Sequence, residues 1–209
     1  MWQIFIGSLA LSVIHGLIPN HWIPLIAISK SEKWTTRETL FATFFTGISH
    51  MASTILLGVI VGFAGIKLSQ GYEFIAEIAA PAALILIGIV YILIDLKSKH
   101  HHHFELDAKA IKNKKSKTAI LISLCLAMFL SPCIEIEAFY FQAGTLGWAG
   151  ILIVSLVYLV VTLTVMLTLV YLGLQGINKF NSHFLEHHEK RITGTVLILL
   201  GIIAYFAEF

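Results

Sequence analysis

Trp2–Ile28 reads WQIFIGSLALSVIHGLIPNHWIPLIAI, twenty-seven residues without one Asp, Glu, Lys or Arg. As a helix it would be about 40 Å long, against a bilayer core of about 30 Å, so it spans a membrane with length to spare. The slack matters because Pro19 and Pro24 stand inside the run. Proline has no N–H and frees the carbonyl four residues earlier, that of His15 for Pro19 and that of Asn20 for Pro24. In lipid such a carbonyl persists only against protein or a polar cavity. His15 and His21 flank the first proline, and ionisable groups at membrane depth are functional by default. Met1 to Leu9 carries no Lys or Arg and no A-x-A site follows, so the run reads as an uncleaved span, not a signal peptide.

The rest of the chain agrees. Of 209 residues, 57% are apolar and 12% charged, with a mean hydropathy of +0.86. No water-soluble fold of this size hides that much apolar side chain. The balance excludes a nucleic-acid binder, a disulfide scaffold and a disordered chain. The chain is expected to be an all-α integral membrane protein with six transmembrane helices. They are placed at Trp2–Ile28, Leu40–Ala64, Phe74–Leu96, Ala119–Phe141, Gly147–Leu174 and Ile192–Phe206.

Charge sets the orientation. Lys30, Lys33 and Arg37 follow the first span; Lys97, Lys99, Lys109, Lys112, Lys114, Lys115 and Lys117 follow the third; Lys179, Lys190 and Arg191 follow the fifth. The opposite side has Lys67 alone. By the positive-inside rule the thirteen lie in the cytoplasm and both termini lie outside. Three spans, a cytoplasmic His/Lys-rich loop and three more spans divide the chain at 1–97, 98–118 and 119–209. An odd number of spans per half inverts the second half relative to the first. Each half would begin with a proline-broken helix, HGLIPNHWIP in span one and LSPCIEIE in span four, where Pro132 frees the carbonyl of Met128.

The candidate ligands follow. His15 lies about 20 Å along span one from the outside, and His50 about 15 Å along span two from the inside, so their depths are similar. His15 and His21 are six apart, about 120° round a regular helix, and converge only if the turn at Pro19 is unwound. Imidazole and thiolate suit transition metals. Cys133 and Glu137 are four apart and would share a helical face, with Glu135 on the other side. One of the two glutamates is expected beside Cys133, and Glu137 is favoured. The run His100, His101, His102 and His103, followed by Glu105 and Asp107, is an accessory metal-gathering loop. INKFNSHFLEHHEK reads as an interfacial helix carrying Ile177, Phe180 and Phe184 on one face, with His183 and His187 at metal-compatible spacing.

HGLIPNHW resembles the H-x-x-x-P-x-H motif in the first span of the nickel/cobalt transporter (NicO) family, and GISHMAST its second-span Ser-His segment. The histidine loop after span three and the Pro-Cys of span four fit in order. The resemblance carries over His15, Pro19, His21, His50, Pro132 and Cys133. It implies a nickel- or cobalt-type transporter, efflux proteins included, within a wider group that holds DsbD-type and sulfite-exporter-like proteins. Many relatives have Glu before the first-span proline, where this chain has Ile18.

The reading is therefore a multi-pass transporter, not an enzyme, of the cell (inner) membrane. Its partners are the lipid bilayer and a divalent transition-metal ion as substrate, with nickel, cobalt, zinc, iron and manganese not distinguished. Protonated ligands release metal, which gives proton antiport a mechanism. No Walker motif points to an ATP motor. Import or export, and monomer or homo-oligomer, stay open. FLSPC also resembles DsbD-type thiol–disulfide carriers. That alternative needs two cysteines within about 7 Å, whereas Cys125 and Cys133 would stand about 12 Å apart along a helix. A membrane metal-delivery or assembly factor is a further alternative. Anion export is disfavoured, because the candidate site holds no Arg or Lys.

Overall fold

The computed structural model describes residues 1–71, 75–97, 116–175 and 182–206. Those residues form helices and no strand. The first expected span is two helices, α1 (Trp2–Leu17) and α2 (Pro19–Ser31), separated by Ile18. Ile18 is extended, with φ −62° and ψ 123°. A residue before proline is pushed out of the helical region, and proline suits the first position of the next helix. The His15 carbonyl accepts instead from the Ile18 N–H at 3.2 Å. Pro24 sits inside α2 without ending it.

The second expected span is α3, Thr36–Gly71, longer than the expected Leu40–Ala64. A capping box fixes its start. The Thr35 hydroxyl accepts from the Glu38 N–H at 3.3 Å, and the Glu38 carboxylate accepts from the Thr35 N–H at 2.8 Å. The third span begins as a π-helical turn, Ile75–Ala79, and continues as α4, Ala80–Lys97. The fourth, expected as one interrupted span, is two separate helices, α5 (Lys117–Phe129) and α6 (Ile134–Thr145). Each is too short to cross a membrane alone. Next, α7 is Trp148–Leu174, entered through Gly147 at φ +86°.

Last, α8 runs unbroken from Ser182 to Phe206. The expected interfacial helix and sixth span are thus continuous over their described residues; Ile177 and Phe180 lie outside them. The apolar part of α8, Arg191–Ile203, is shorter than a span. Among the described residues, four stretches are long and apolar enough to cross a membrane: Trp2–Ser31, Thr36–Gln70, Glu77–Ile94 and Trp148–Leu174. Phe41, Leu56, Ile60, Leu86, Leu156 and Val160 are each more than half exposed. In water those side chains would form large apolar patches; in lipid they are at home.

Packing centres on α3 and α7, which touch each other. Along α3 lie α5 and α6; along α7 lie α1 and α2; α4 packs against α8. Tyr140, Tyr158, Met51 and Val154 fill the core between them. The α3–α6 contact is a seam of small residues. Tyr140 lies against Gly58, and Gly144 against the backbone of Gly62, and a Cβ added at Gly58 or at Gly144 would collide there. Such close approach is how helices associate without a hydrophobic driving force from water.

Candidate metal centre

Four side chains from four helical ends or faces meet in the core. His15 is in the last turn of α1, His21 in the first turn of α2, His50 in the middle of α3, and Cys133 caps α6. All four are buried, and one donor atom from each lies within 4.8 Å of the others. His15 Nε2 is 3.3 Å from His50 Nε2, and Cys133 Sγ is 3.3 Å from the first and 3.2 Å from the second. Bonds of about 2.0 Å to nitrogen and 2.3 Å to sulfur give a tetrahedral edge of about 3.3–3.6 Å. These three separations serve equally for hydrogen bonds between thiol and imidazole and for three edges of such a tetrahedron, with His21 within 4.8 Å as the fourth donor.

The two proline breaks create this convergence. With Ile18 extended, the ring of His21 swings back to 4.6 Å from that of His15 and 4.7 Å from that of His50, centre to centre. The second break works through a carbonyl. Pro132 has no N–H for Met128 O, which accepts instead from the Ser131 N–H at 3.3 Å and from His50 Nδ1 at 3.2 Å. A carbonyl only accepts, so Nδ1 carries the proton and Nε2 presents its lone pair to the cluster. Such an outer contact orients a ligating histidine. The neighbouring Ser49 hydroxyl donates to the Cys125 carbonyl at 2.8 Å, and Thr54 Oγ1 accepts from the Cys133 N–H at 3.4 Å.

His50 belongs to a polar face that sequence reasoning passed over. Thr39, Thr43, Thr46, His50, Ser53 and Thr54 are all buried on α3. Steps of three and four along one helix were the available signal. Thr43 and Thr46 return their protons to carbonyls four residues back, at 2.8 Å each. Another hydroxyl, Thr162 of α7, reaches Ser12 O of α1 at 3.3 Å.

Neither glutamate joins the four-residue group. The expected pairing of Cys133 with Glu137 fails for a backbone reason. Four-residue spacing shares a face only within a helix, and Cys133 is an extended cap, φ −99° and ψ 111°. Both Glu137 oxygens are buried with no hydrogen-bond partner among the described residues. Glu135 instead borders a crevice with His15. His100, His101, His102 and His103 lie outside the described residues. His183 and His187 are in the first two turns of α8. Cys125 is a free thiol in a groove with Phe45 and Phe129, away from the cluster.

The donor set is three imidazoles and one thiol, a combination suited to borderline-soft divalent ions. No family model matches the chain, and neither does any curated protein or solved structure.

Proposed function

We propose that the protein is a membrane transporter of a divalent transition-metal cation, with His15, His21, His50 and Cys133 as the binding position through which the ion passes. The convergence of those four buried donors at two broken helices carries this reading. Depth supports it. The cluster is about 20 Å from the first residue of α1, of α3 and of α5, measured along each helix. If α1 starts outside and the other two inside, that places the cluster near the middle of a bilayer.

The inverted-repeat plan gains support from the packing. Exchanging α1/α2 with α5/α6, α3 with α7, and α4 with α8 returns the main contacts to themselves. Each broken helix packs on the long helix of the other half, and the α3–α7 and α4–α8 pairs map onto their own reverse. Six spans follow if α5 and α6 together make the fourth and α8 the sixth. Lys117 and Glu38 join at 2.6 Å, so the starts of α3 and α5 are neighbours, which supports the common side that the charge distribution predicts. Motif order matches the NicO resemblance at His15, Pro19, His21, His50, Pro132 and Cys133, and that resemblance favours a nickel- or cobalt-type cargo and efflux among the alternatives left open. Protons compete with metal for imidazole and thiolate, so affinity rises with pH and a proton gradient can drive release.

The test is metal flux into sealed vesicles containing this protein alone, run over nickel, cobalt, zinc, iron and manganese with a pH gradient of either sign. Flux of at least one ion that His15→Ala and His21→Ala each abolish is the expected result. Metal binding without flux would favour the delivery-factor reading instead.

A further inference from the structure

A crevice runs beside the cluster, lined by Leu11, Ile14, His15 and Ile18 of the first span, Glu135 and Ile136 of α6, and Thr193 of α8. His15 therefore belongs to both places, with Nε2 at the cluster and the residue lining the crevice. Thr193 is 3% exposed, and its hydroxyl has no hydrogen-bond partner among the described residues. A buried, unpaired hydroxyl costs free energy unless something occupies its lone pairs. The crevice is otherwise apolar, which leaves the Glu135 carboxylate as its one anionic group. Charge counting gives that carboxylate a task. A divalent ion held by three neutral imidazoles and one thiolate keeps a net charge of +1, which is expensive in a low-dielectric interior. One adjacent carboxylate cancels it.

We propose that this crevice is a second cation position, with the Glu135 carboxylate and Thr193 hydroxyl as oxygen donors, through which a divalent transition-metal ion moves into and out of the His–Cys cluster. The inference rests on the transport reading above. Oxygen donors hold such an ion more loosely than imidazole and thiolate do, as a transit position requires. The same carboxylate offsets the residual charge while the ion sits in the cluster. α8, which supplies none of the four cluster ligands, becomes part of the ion's route through Thr193.

Cobalt(II) is the probe, read in two ways on the full-length protein. In detergent, the thiolate-to-cobalt absorption reports cluster loading; in proteoliposomes, cobalt uptake reports transit. Glu135→Gln is expected to keep the shape of the wild-type spectrum, bind about tenfold more weakly and lose at least tenfold in flux. Glu135→Asp, which keeps the charge, should recover most of that flux. Thr193→Val should lower flux several-fold while Thr193→Ser does not, a pair that decides the matter even if Glu135→Gln fails to insert. Wild-type flux in both Glu135→Gln and Thr193→Val overturns the crevice and leaves the cluster standing. A wild-type protein that shows no thiolate–cobalt absorption overturns the cluster, and the crevice with it.

Discussion

His50 uses its two ring nitrogens for different purposes, and the second depends on a residue far away in sequence. Its Nδ1 bonds Met128 O, a carbonyl that Pro132 leaves without the donor four residues on and that also accepts from the Ser131 N–H at 3.3 Å. Pro132→Ala restores an N–H at the right spacing, so helix α5 can reclaim the carbonyl and free the histidine to turn. Loss of such an orienting contact typically weakens metal binding 10–100-fold. We expect that loss in a cobalt titration of Pro132→Ala; unchanged affinity would mean that the Met128 contact does not hold the ring. The cysteines make a sharper pair. Cys133 is within 3.3 Å of two imidazoles, while Cys125 is elsewhere on α5. Cys133→Ser should abolish the thiolate–cobalt absorption and weaken binding, and Cys125→Ser should match wild type. A thiol–disulfide carrier would need both thiols, so equal failure of the two variants would favour that reading. At this scale the sequence was legible wherever proline dictates the backbone: the candidacy of His15, His21 and Cys133 follows from where the breaks fall, and that of His50 from its matching depth. Glu135 and Glu137 were not separable, because the choice hangs on whether Cys133 is helical, and a Ser-Pro-Cys junction does not declare that.

Helix α6 shows what holds the second break in place. It is twelve residues long, too short to be stable by itself, and depends on its seam with α3. At Gly144 an added Cβ would strike the backbone of Gly62, which cannot rotate away. At Gly173 it would meet the Cδ1 end of the Ile26 side chain, which can. Gly144→Ala should therefore destabilise the protein by about 1–3 kcal/mol and Gly173→Ala by clearly less. The comparison is read from thermal unfolding midpoints in one detergent, and equal midpoints would show that the seam yields. The glycines at 58, 62 and 65 repeat at helical spacing and could have been found as a packing stripe. Hydropathy places apolar runs without resolving how each is divided. It therefore located Trp148–Leu174 nearly to the residue, and it also merged α5 with α6 and separated the start of α8 from its continuation.

For the whole molecule, the distribution of charge makes the strongest statement, because it links segments that are distant in sequence. Thirteen of the fourteen basic residues fall in three of the loops and their flanks. The Lys117–Glu38 ion pair joins two of those regions at their helix starts. Such an exposed pair contributes little to stability, so its value is geometric. The loop of His100 to His103 belongs with this basic side. Four neighbouring imidazoles on one segment can gather metal without imposing the fixed geometry of a transport site. Replacing all four with Ser should change the concentration at which flux saturates and leave the maximal rate largely intact. Orientation gives the last test. If positive-inside bias holds, all thirteen residues lie in the cytoplasm and α8, running away from Lys190 and Arg191, ends outside. A reporter active only in the cytoplasm should be silent when fused after Phe209 and active when inserted within the His100–His103 loop. Activity at both positions would mean that α8 does not cross. The sixth span and the inverted halves would then both be lost, because the exchange of α4 with α8 requires each to run through the membrane. The four-residue cluster, built from α1, α2, α3 and the cap of α6, would survive that result.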